Sequence, residues 1–305
     1  MYKSGNNGQW VLVTASQTGR GHKKRKLVCQ DRAGFYYNGD VTVLALSDGA
    51  GSRVYSHLGA ELIVKESAEF IRKNFAWLFD NAANQEAGQK LRRHICYKLE
   101  EFAKENFLAY DDLAATMLVV AVRDGKYIAL HIGDGVIGYI KGGIVQLLSA
   151  PNNGEFANTT VFVNSASAAN EIHFYKGALE TEGVQGFVLM SDGAATSLYQ
   201  KQRNVFAGAL NSLSRVVGIL LPEELKKLVQ KEYMPMLTNR TMDDCSLAIM
   251  VQSADISYAA RKNCGKILKY MKKANAIVKS LQMSGIHKKY YNRYVNLLMQ
   301  NKWIE

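Results

Sequence analysis

The sequence predicts an α+β protein in which antiparallel sheets are covered by helices on the outside. Stretches with strand-like alternation outnumber stretches with helical spacing. Two pairs of neighbouring strands are joined by tight turns that are typical of hairpins, Arg123-Asp124-Gly125 and Lys141-Gly142-Gly143. The helical stretches come in two pairs and do not alternate with the strands, which argues against a βαβ repeat.

The N-terminal region contains a predicted strand, a polar loop and a basic run. Residues 10–13 are all apolar and predict a strand, whereas 16–22 are mostly polar and predict a loop. The basic run that follows is Lys23-Lys24-Arg25-Lys26. It is either a solvated turn or a rim that attracts phosphate, and the second interpretation rests on its place just before Gln30-Asp31.

Two helices are predicted after residue 48, at 59–75 and 85–107, where apolar residues recur with helical spacing. These apolar stripes are interpreted as packing faces. The next region predicts four strands, at 116–122, 126–132, 136–140 and 144–148.

The polar stretch 151–182 follows and contains two short strand-like pieces, 160–163 and 172–175. A connection of this length is typical of a lid or a binding loop. Helices are then predicted at 200–220 and 222–233, where Pro222 suits a first helical turn. Residues 246–251 predict the strand that closes the body.

Composition indicates a soluble globular protein, since 48% of the residues are hydrophobic and 21% are charged. No stretch approaches the ~20 consecutive apolar residues of a membrane span. The first ten residues lack the apolar core of a signal peptide. The four cysteines are scattered, without the spacing of a zinc site or a disulfide framework. We therefore expect a reducing cytoplasm as the location and no membrane contact.

Most of the net charge of +11 lies at the C-terminal end. Residues 253–305 contain eleven Lys and Arg and two acids, which leaves 27 basic and 25 acidic residues in the remainder. We predict a body at 1–252 and a basic helical extension at 253–305, with helices at 259–283 and 286–300. The extension either packs on the body or contacts nucleic acid or an acidic partner protein.

Asp-Gly turns recur at the ends of apolar strands. Asp48, Asp134 and Asp192 each follow an apolar run and precede a glycine. Asp243 precedes a strand, and Asp31 precedes an aromatic run. One such turn is ordinary, but five carboxylates at strand ends converge if the strands lie side by side. Together they are suited to hold two or more hard divalent cations, which prefer oxygen ligands.

These residues resemble the protein phosphatase 2C-type, metal-dependent Ser/Thr phosphatases. The resemblance covers residues 9–252 and lies in the order of six motifs: Gln30-Asp31, Ser47-Asp48-Gly49-Ala50-Gly51-Ser52, Ala115-Thr116, Gly133-Asp134-Gly135, Ser191-Asp192-Gly193 and Asp243-Asp244-Cys245-Ser246. It implies a four-layer α-β-β-α sandwich of two antiparallel sheets flanked by helix pairs. It also implies a role in signalling, in which phosphoserine and phosphothreonine of protein substrates are hydrolysed by a hydroxide that bridges two Mn²⁺ or Mg²⁺ ions.

The resemblance implies a role for each motif residue. Asp48 bridges the two ions, and the Gly49 carbonyl joins one of them. Asp192 and Asp243 complete the coordination of the first ion, and Asp31 acts through metal-bound water. Asp134, with Asp192, matches the position of a third, more weakly held ion. Lys26 stands where an Arg often binds the substrate phosphate, and Lys keeps the charge but lacks the bidentate fork.

Ala50 is the main departure from the family pattern, because many members carry a His directly after Asp-Gly. General acid–base assistance is typically worth about 10²–10⁴-fold, so its loss slows the reaction without abolishing it. A metal-bound water, His22 or His57 are the candidate substitutes. Ala50 also leaves an alternative function open. In that alternative the chain is a catalytically weak or inactive binding or regulatory module, with the basic extension on a partner protein or nucleic acid.

Overall fold

A computed structural model of the chain describes residues 1–7, 9–81, 83–152, 160–254 and 262. The chain divides into two units, Met1–Asp255 and Ile256–Glu305, and the first contains every element described below. The predicted helices of the 253–305 extension lie outside the described residues.

Thirteen strands occur in the described part of the chain. In order they are β1 (Tyr2–Asn6), β2 (Trp10–Gln17), β3 (Arg32–Asn38), β4 (Val41–Ser47), β5 (Met117–Arg123), β6 (Lys126–Ile132), β7 (Val136–Lys141), β8 (Ile144–Ser149), β9 (His173–Ala178), β10 (Gly186–Met190), β11 (Tyr199–Gln200), β12 (Val205–Phe206) and β13 (Cys245–Gln252). Six of them form an antiparallel sheet in the order β1-β2-β13-β10-β7-β8. Five form a second antiparallel sheet in the order β3-β4-β5-β6-β9, and β11 pairs with β12 alone.

Helices cover the outer faces of both sheets. The α-helices within the described ranges are α1 (Arg20–Arg25), α2 (Ser56–Ala76), α3 (Asn84–Glu105), α4 (Leu179–Glu182), α5 (Asp192–Leu198), α6 (Gly208–Val217), α7 (Pro222–Leu228) and α8 (Met234–Thr238). Short 3₁₀ or π-helical segments occur at Trp77–Asn81, Tyr110–Leu113, Ala166–Ala169 and Val229–Tyr233. Helices α2 and α3 pack on the five-stranded sheet, whereas α6, α7 and α8 contact the six-stranded sheet. The body is therefore the predicted four-layer sandwich. None of the described helices is long and apolar enough to cross a membrane.

The apolar run along β4 supplies two separate cores. Val43 and Ala45 face the core under α2 and α3, whereas Leu44 and Leu46 face the core between the sheets, where they meet Phe187. Successive side chains of a strand point to opposite faces, so a strand buried on both sides reads as a continuous apolar run. Each large side chain buried in this way contributes about 1.5–3 kcal/mol to stability.

The strand registers bring the acid-bearing strand ends to one end of the sandwich. At that end the paired residues are Arg32 with Ser47, Met117 with Ile132, Val136 with Met190, and Met190 with Leu247. The opposite end carries the hairpin turns that join β3 to β4, β5 to β6 and β7 to β8. Chemistry-bearing residues from both sheets therefore share one end.

The predicted loop at 16–22 is wrong, because β2 extends to Gln17 and α1 begins at Arg20. This helix is positioned by contacts with the residues before β13, since the Gly21 N–H donates to the Met242 carbonyl at 2.8 Å. The helix ends at Lys26, which has a left-handed φ of 58°. Its sequence has no apolar periodicity, so long-range contacts determine the helix.

Two other local predictions are also wrong. Residues 199–206 form the β11–β12 hairpin instead of the start of a helix at 200–220, because Tyr199 and Phe206 pack across the hairpin with ring centroids 5.0 Å apart. Residues 160–163 form no strand, since Thr160 turns its hydroxyl to Asp134. Strand β1 had not been predicted from the sequence.

Candidate active site

Asp48 directly follows β4, and the candidate site begins at this residue. Its backbone N–H donates to Thr116 Oγ1 at 2.9 Å, and the Thr116 N–H donates to the Asp48 carbonyl at 2.8 Å. Gly49 has no room for a side chain, because a Cβ there would lie 2.8 Å from the Gln30 carbonyl oxygen and 2.9 Å from Ser56 Oγ. The backbone that carries Asp48 is therefore held rigidly on both sides.

Gln30 connects the segment before β3 to the turn after Asp48. Its Nε2 donates to the Arg53 carbonyl at 3.0 Å and to Ser56 Oγ at 2.8 Å. The next residue, Asp31, is fully buried. Neither Asp31 carboxylate oxygen has a hydrogen bond of regular geometry with any described residue, and the same holds for Asp192 Oδ1. Buried oxygens that lack well-formed hydrogen bonds are suited to accept another ligand.

The carboxyl groups of Asp31, Asp48 and Asp192 lie side by side. The Asp48 carboxyl approaches the other two closely enough to lower the pKa of each by a hydrogen-bonding contact. Burial is nevertheless the largest influence and raises the pKa of all three, with like charge as the second cause: Asp244 for Asp31, Asp31 for Asp48 and Asp134 for Asp192. Part of the Asp48 surface reaches solvent, but the surrounding protein removes most of its hydration. The group therefore resists full ionisation.

Asp134 and Asp243 complete the acid cluster from two further strand ends. Asp134 lies in the turn between β6 and β7, where its Oδ2 accepts a hydrogen bond from Thr160 Oγ1 at 2.5 Å. Burial raises the pKa of Asp134, and the charge of Asp243 adds to the effect. Asp243 is exposed, and its Oδ1 accepts the N–H of Asp244 at 2.8 Å. The structure thus brings together all five acids that the sequence singled out.

The acids are neighbours without forming a closed ligand shell. Within the described ranges, no three His, Cys, Asp or Glu side chains are arranged closely enough to hold a metal ion. The donor set itself fits Mg²⁺ or Mn²⁺, because it offers carboxylate and carbonyl oxygens, and three of the carboxylate oxygens make no hydrogen bond of regular geometry with a described residue.

The sequence also singled out Lys26, His22 and His57, which the structure places outside the set of five acids as follows. Lys26 is exposed at the end of α1. His22 is buried, and its Nδ1 lies 3.0 Å from Asp244 Oδ2. The pKa of His57 is lowered by burial and then by the charge of Arg32, so its imidazole is neutral at neutral pH. The described partners of His22 and His57 are thus Asp244 for the first and Arg32, Glu61 and Val54 for the second, and the buried Ala50 has no ionisable proton.

Comparison with known proteins identifies the family. The sequence profile described as "Protein phosphatase 2C" matches residues 18–230, more than half of the chain. The chain belongs to the protein phosphatase 2C family. By family it is a hydrolase of the serine/threonine-protein phosphatase type, as the sequence predicted.

Relatives of this phosphatase agree with the assignment. The protein named serine/threonine-protein phosphatase 3 of Escherichia coli K12 is 28% identical over 251 residues, which is 79% of this chain and 97% of that protein. The crystal structure of a bacterial serine phosphatase superposes with a TM-score of 0.55 at 15% identity, covering 81% of this chain and 99% of that one. Stp1 from Staphylococcus aureus gives a TM-score of 0.54 at 15% identity, covering 79% and 94%. These structures support the fold.

The structural role of Asp244 in this phosphatase was not predicted from the sequence. Its carboxylate is buried and accepts the Gly19 N–H at 2.7 Å and the Gln30 N–H at 2.6 Å, in addition to its contact with His22. It thereby ties α1 and the Asp31 segment to the start of β13. An acidic residue directly before a buried strand was the available signal, but its partners are more than 200 residues away in the chain.

Proposed function

We propose that this phosphatase hydrolyses phosphoserine and phosphothreonine in proteins with paired Mn²⁺ or Mg²⁺ ions held at the acid cluster. The observation that supports the proposal is the set of adjoining carboxylates at Asp31, Asp48 and Asp192, whose oxygens include three buried atoms that make no hydrogen bond of regular geometry with a described residue. A polar network would normally satisfy such atoms within the protein. Their oxygen chemistry suits hard divalent cations.

The ligands are proposed to come from both sheets. Asp48, the Gly49 carbonyl, Asp192 and Asp243 hold two ions, Asp31 acts through water, and Asp134 with Asp192 holds a third. When bound, such ions lower the pKa of water towards neutrality and offset the charge that develops on the phosphoryl oxygens. When the nucleophile comes from solvent, the enzyme needs no side-chain nucleophile. Cys29 and Cys245 are therefore assigned a structural role, and burial raises the pKa of both thiols.

The chain itself supplies rigidity and charge. Thr116 and Gln30 fix the backbone around Asp48, and Asp244 fixes the segments that carry Asp31 and Asp243. Lys26 is proposed to meet the substrate phosphate from the exposed end of α1 as a point charge. Because Ala50 has no ionisable proton, a water molecule donates a proton to the serine or threonine oxygen as the bond between that oxygen and phosphorus breaks, and the alcohol leaves. We therefore expect a slower enzyme than one with a positioned general acid.

Hydrolysis of p-nitrophenyl phosphate with Mn²⁺ tests the proposal. We expect turnover with Mn²⁺, none in chelator, and a loss of at least ~10³-fold in Asp48→Asn, because a central charge stabiliser is removed. Asp124→Asn is the matched control, since Asp124 lies in the exposed hairpin at the opposite end with a φ of 49° that Asn tolerates. Equal activity in chelator would contradict the proposal.

Calorimetric titration with Mn²⁺ gives a second readout that does not depend on turnover. Binding in the wild type and its loss in Asp48→Asn support the ligand assignment. Binding without turnover favours the alternative function, a phosphatase-fold module that binds or regulates, for which the absence of a proton donor at Ala50 is the specific observation.

A further inference from the structure

A basic surface lies beside the acid cluster, and the proposed reaction uses only its last residue. Between Thr18 and Gln30 the sequence contains five cations and no acid: Arg20, Lys23, Lys24, Arg25 and Lys26. All five side chains are exposed. None takes part in an ion pair among the described residues. Their charge is therefore available to a partner.

This surface is fixed next to the candidate active site. The Gly19 N–H donates to Asp244 Oδ1 at 2.7 Å, and Arg20 Nε donates to the Thr241 carbonyl at 3.2 Å. Helix α1 also lies against the backbone before β13, because a Cβ on Gly19 would be 2.0 Å from the Asp243 carbonyl oxygen. The cations consequently stand on a segment that touches Asp243.

Exposed apolar side chains accompany the cations. Leu27 is 43% exposed, Val28 57%, Val54 69%, Tyr55 37% and Met242 51%. They are five of the twelve exposed large apolar residues in the described part of the chain. Gln30 follows Leu27 and Val28 closely in the chain, and its side chain bonds to Arg53 and Ser56, which flank Val54 and Tyr55. Met242 contacts α1 through its backbone carbonyl. Apolar residues that cluster at a functional edge indicate contact with a partner.

We propose that this surface binds an acidic, partly apolar segment of the substrate protein next to its phosphorylated serine or threonine. The surface is called the α1 rim and consists of Arg20, Lys23, Lys24, Arg25, Lys26, Leu27, Val28, Val54, Tyr55 and Met242. The inference rests on the proposed function and adds a substrate class to it. The acid cluster alone repels an acidic phosphopeptide, whereas exposed cations beside it attract and orient that peptide.

The composition of the α1 rim favours a peptide over nucleic acid. Single-stranded nucleic acid is bound by aromatic side chains on which successive bases stack. The rim offers aliphatic side chains and only one aromatic ring, Tyr55. Its cations also adjoin the site at which a phosphate monoester is to be cleaved. A protein segment with acidic and apolar residues satisfies both features.

The test compares three phosphothreonine peptides that differ only in acidic, neutral or basic flanking residues. With Mn²⁺ at low salt we expect kcat/KM for the acidic peptide to exceed that for the neutral peptide by about tenfold, and the preference to shrink at high salt as charges are screened. The rates are divided by the rate for p-nitrophenyl phosphate, which is too small to reach any rim residue other than Lys26.

Two charge-reversal variants separate the rim from overall charge. Lys23→Glu with Lys24→Glu is expected to abolish the acidic preference. Lys226→Glu with Lys227→Glu changes the net charge equally on α7, which covers the outer face of the six-stranded sheet, and is expected to keep it. Val54→Ser leaves the charges intact and is expected to lower kcat/KM about threefold for peptides with an apolar flank.

The outcomes distinguish the rim from the proposed function. If p-nitrophenyl phosphate is hydrolysed but the three peptides react alike, or both charge reversals behave alike, the α1 rim is not a substrate surface. If an RNA oligonucleotide displaces the acidic peptide at lower concentration than the peptide's own unlabelled form, the inference is also overturned. If there is no turnover at all, fluorescence polarisation with the same peptides still measures the acidic preference, and its absence refutes the rim.

Discussion

Asp244 shows how one side chain organises residues that are distant in sequence. It accepts backbone hydrogen bonds from Gly19 and Gln30 and contacts His22, and the four groups are almost fully buried together. A buried carboxylate needs such partners, because an unpaired buried charge is strongly destabilising. Asp243, directly before it, takes its orientation from the same turn. On the proposed metal-ligand role of Asp243, the residues that hold its turn also affect metal affinity.

His22→Ala removes one of these supports. We expect Mn²⁺ affinity to fall about tenfold, since outer partners of metal ligands typically contribute 10–100-fold. Calorimetric titration measures the affinity, and urea unfolding shows separately whether the variant is folded. His94→Ala is the control, because His94 contacts Glu66 and Phe70 on α2 instead of the cluster. Unchanged Mn²⁺ affinity in folded His22→Ala would show that the contact is only structural.

His131 makes the stability of the fold dependent on pH. Its Nδ1 lies 2.7 Å from Ser149 Oγ, and burial, followed by the nearby His173, lowers its pKa to about 3. In the unfolded chain the pKa of His is about 6.5. Between these values the unfolded state binds a proton that the folded state does not. The free energy of unfolding therefore falls as the pH drops below about 6.5, by at most about 1.4 kcal/mol per pH unit.

His131→Gln removes this titration. Urea unfolding of both proteins over the pH range from about 7 to 5 measures the effect, because contributions from the other groups are largely shared. We expect the wild type to lose its stability advantage over His131→Gln as the pH falls. Parallel curves for the two proteins would show that the buried imidazole is protonated in the fold.

Helix α2 approaches the segment before β5 more closely than side chains allow. A Cβ on Gly59 would lie 1.9 Å from the Leu113 carbonyl oxygen, which is a backbone atom. Leu113 is followed by the residues that hold the Asp48 turn, since the Ala114 carbonyl accepts the Ala50 N–H at 2.9 Å. The position of α2 thus affects the position of the acid cluster.

Gly59→Ala is expected to lower the free energy of unfolding by about 1–3 kcal/mol through overpacking. Gly208→Ala is the matched control, because Gly208 begins α6 and a Cβ there meets nothing within 4 Å. That change is expected to stabilise the fold by up to about 1 kcal/mol through helix propensity. Thermal unfolding of both variants measures the difference, and equal effects would show that the close approach is not limiting.

The elements that could be predicted from the sequence are those whose buried faces show as a pattern of apolar residues within the element itself. Strands β6 and β7 were predictable because most of their residues are apolar and are buried on both faces. Helices α2 and α3 were predictable because each presents one apolar stripe to the sheet. Helix α1 was not, since its hydrogen bonds to Met242 and Asp244 involve residues far along the chain.

The same distinction applies to the candidate site. Asp48, Asp134 and Asp192 were found from repeated Asp-Gly turns after apolar strands, a signal that lies within a few residues. The positions of His22 and Lys26 were not predictable, because they depend on a helix that only the folded chain forms. The metal-ligand assignments remain predictions that the proposed titrations test.

The acid cluster destabilises the sandwich as a whole. Burial and neighbouring carboxylates raise the pKa of Asp48 well above its usual range. A carboxyl group whose folded pKa is raised destabilises the fold at any pH above its unfolded value, because ionisation is easier in the unfolded chain. Functional sites commonly destabilise the fold in this way.

Without metal at neutral pH, Asp48→Asn is therefore expected to unfold at a higher temperature than the wild type. Mn²⁺ at a hundredfold excess over its Kd is expected to stabilise the wild type by about 2.7 kcal/mol and to leave Asp48→Asn unchanged. Differential scanning calorimetry with Mn²⁺ or chelator measures both, with Asp124→Asn expected to follow the wild type. Identical melting of the wild type in both buffers would contradict the prediction.

The hairpin end of the sandwich lies opposite the acid cluster and contributes none of the five carboxylates of that cluster. Gly39, Gly125 and Gly142 have positive φ values of 67°, 72° and 58°, and a Cβ at any of them meets nothing within 4 Å. Loop tips of this kind accept insertions well. A fluorophore or an affinity handle placed there would report on the catalyst, or tether it to a support, while its working face stays turned towards the solution.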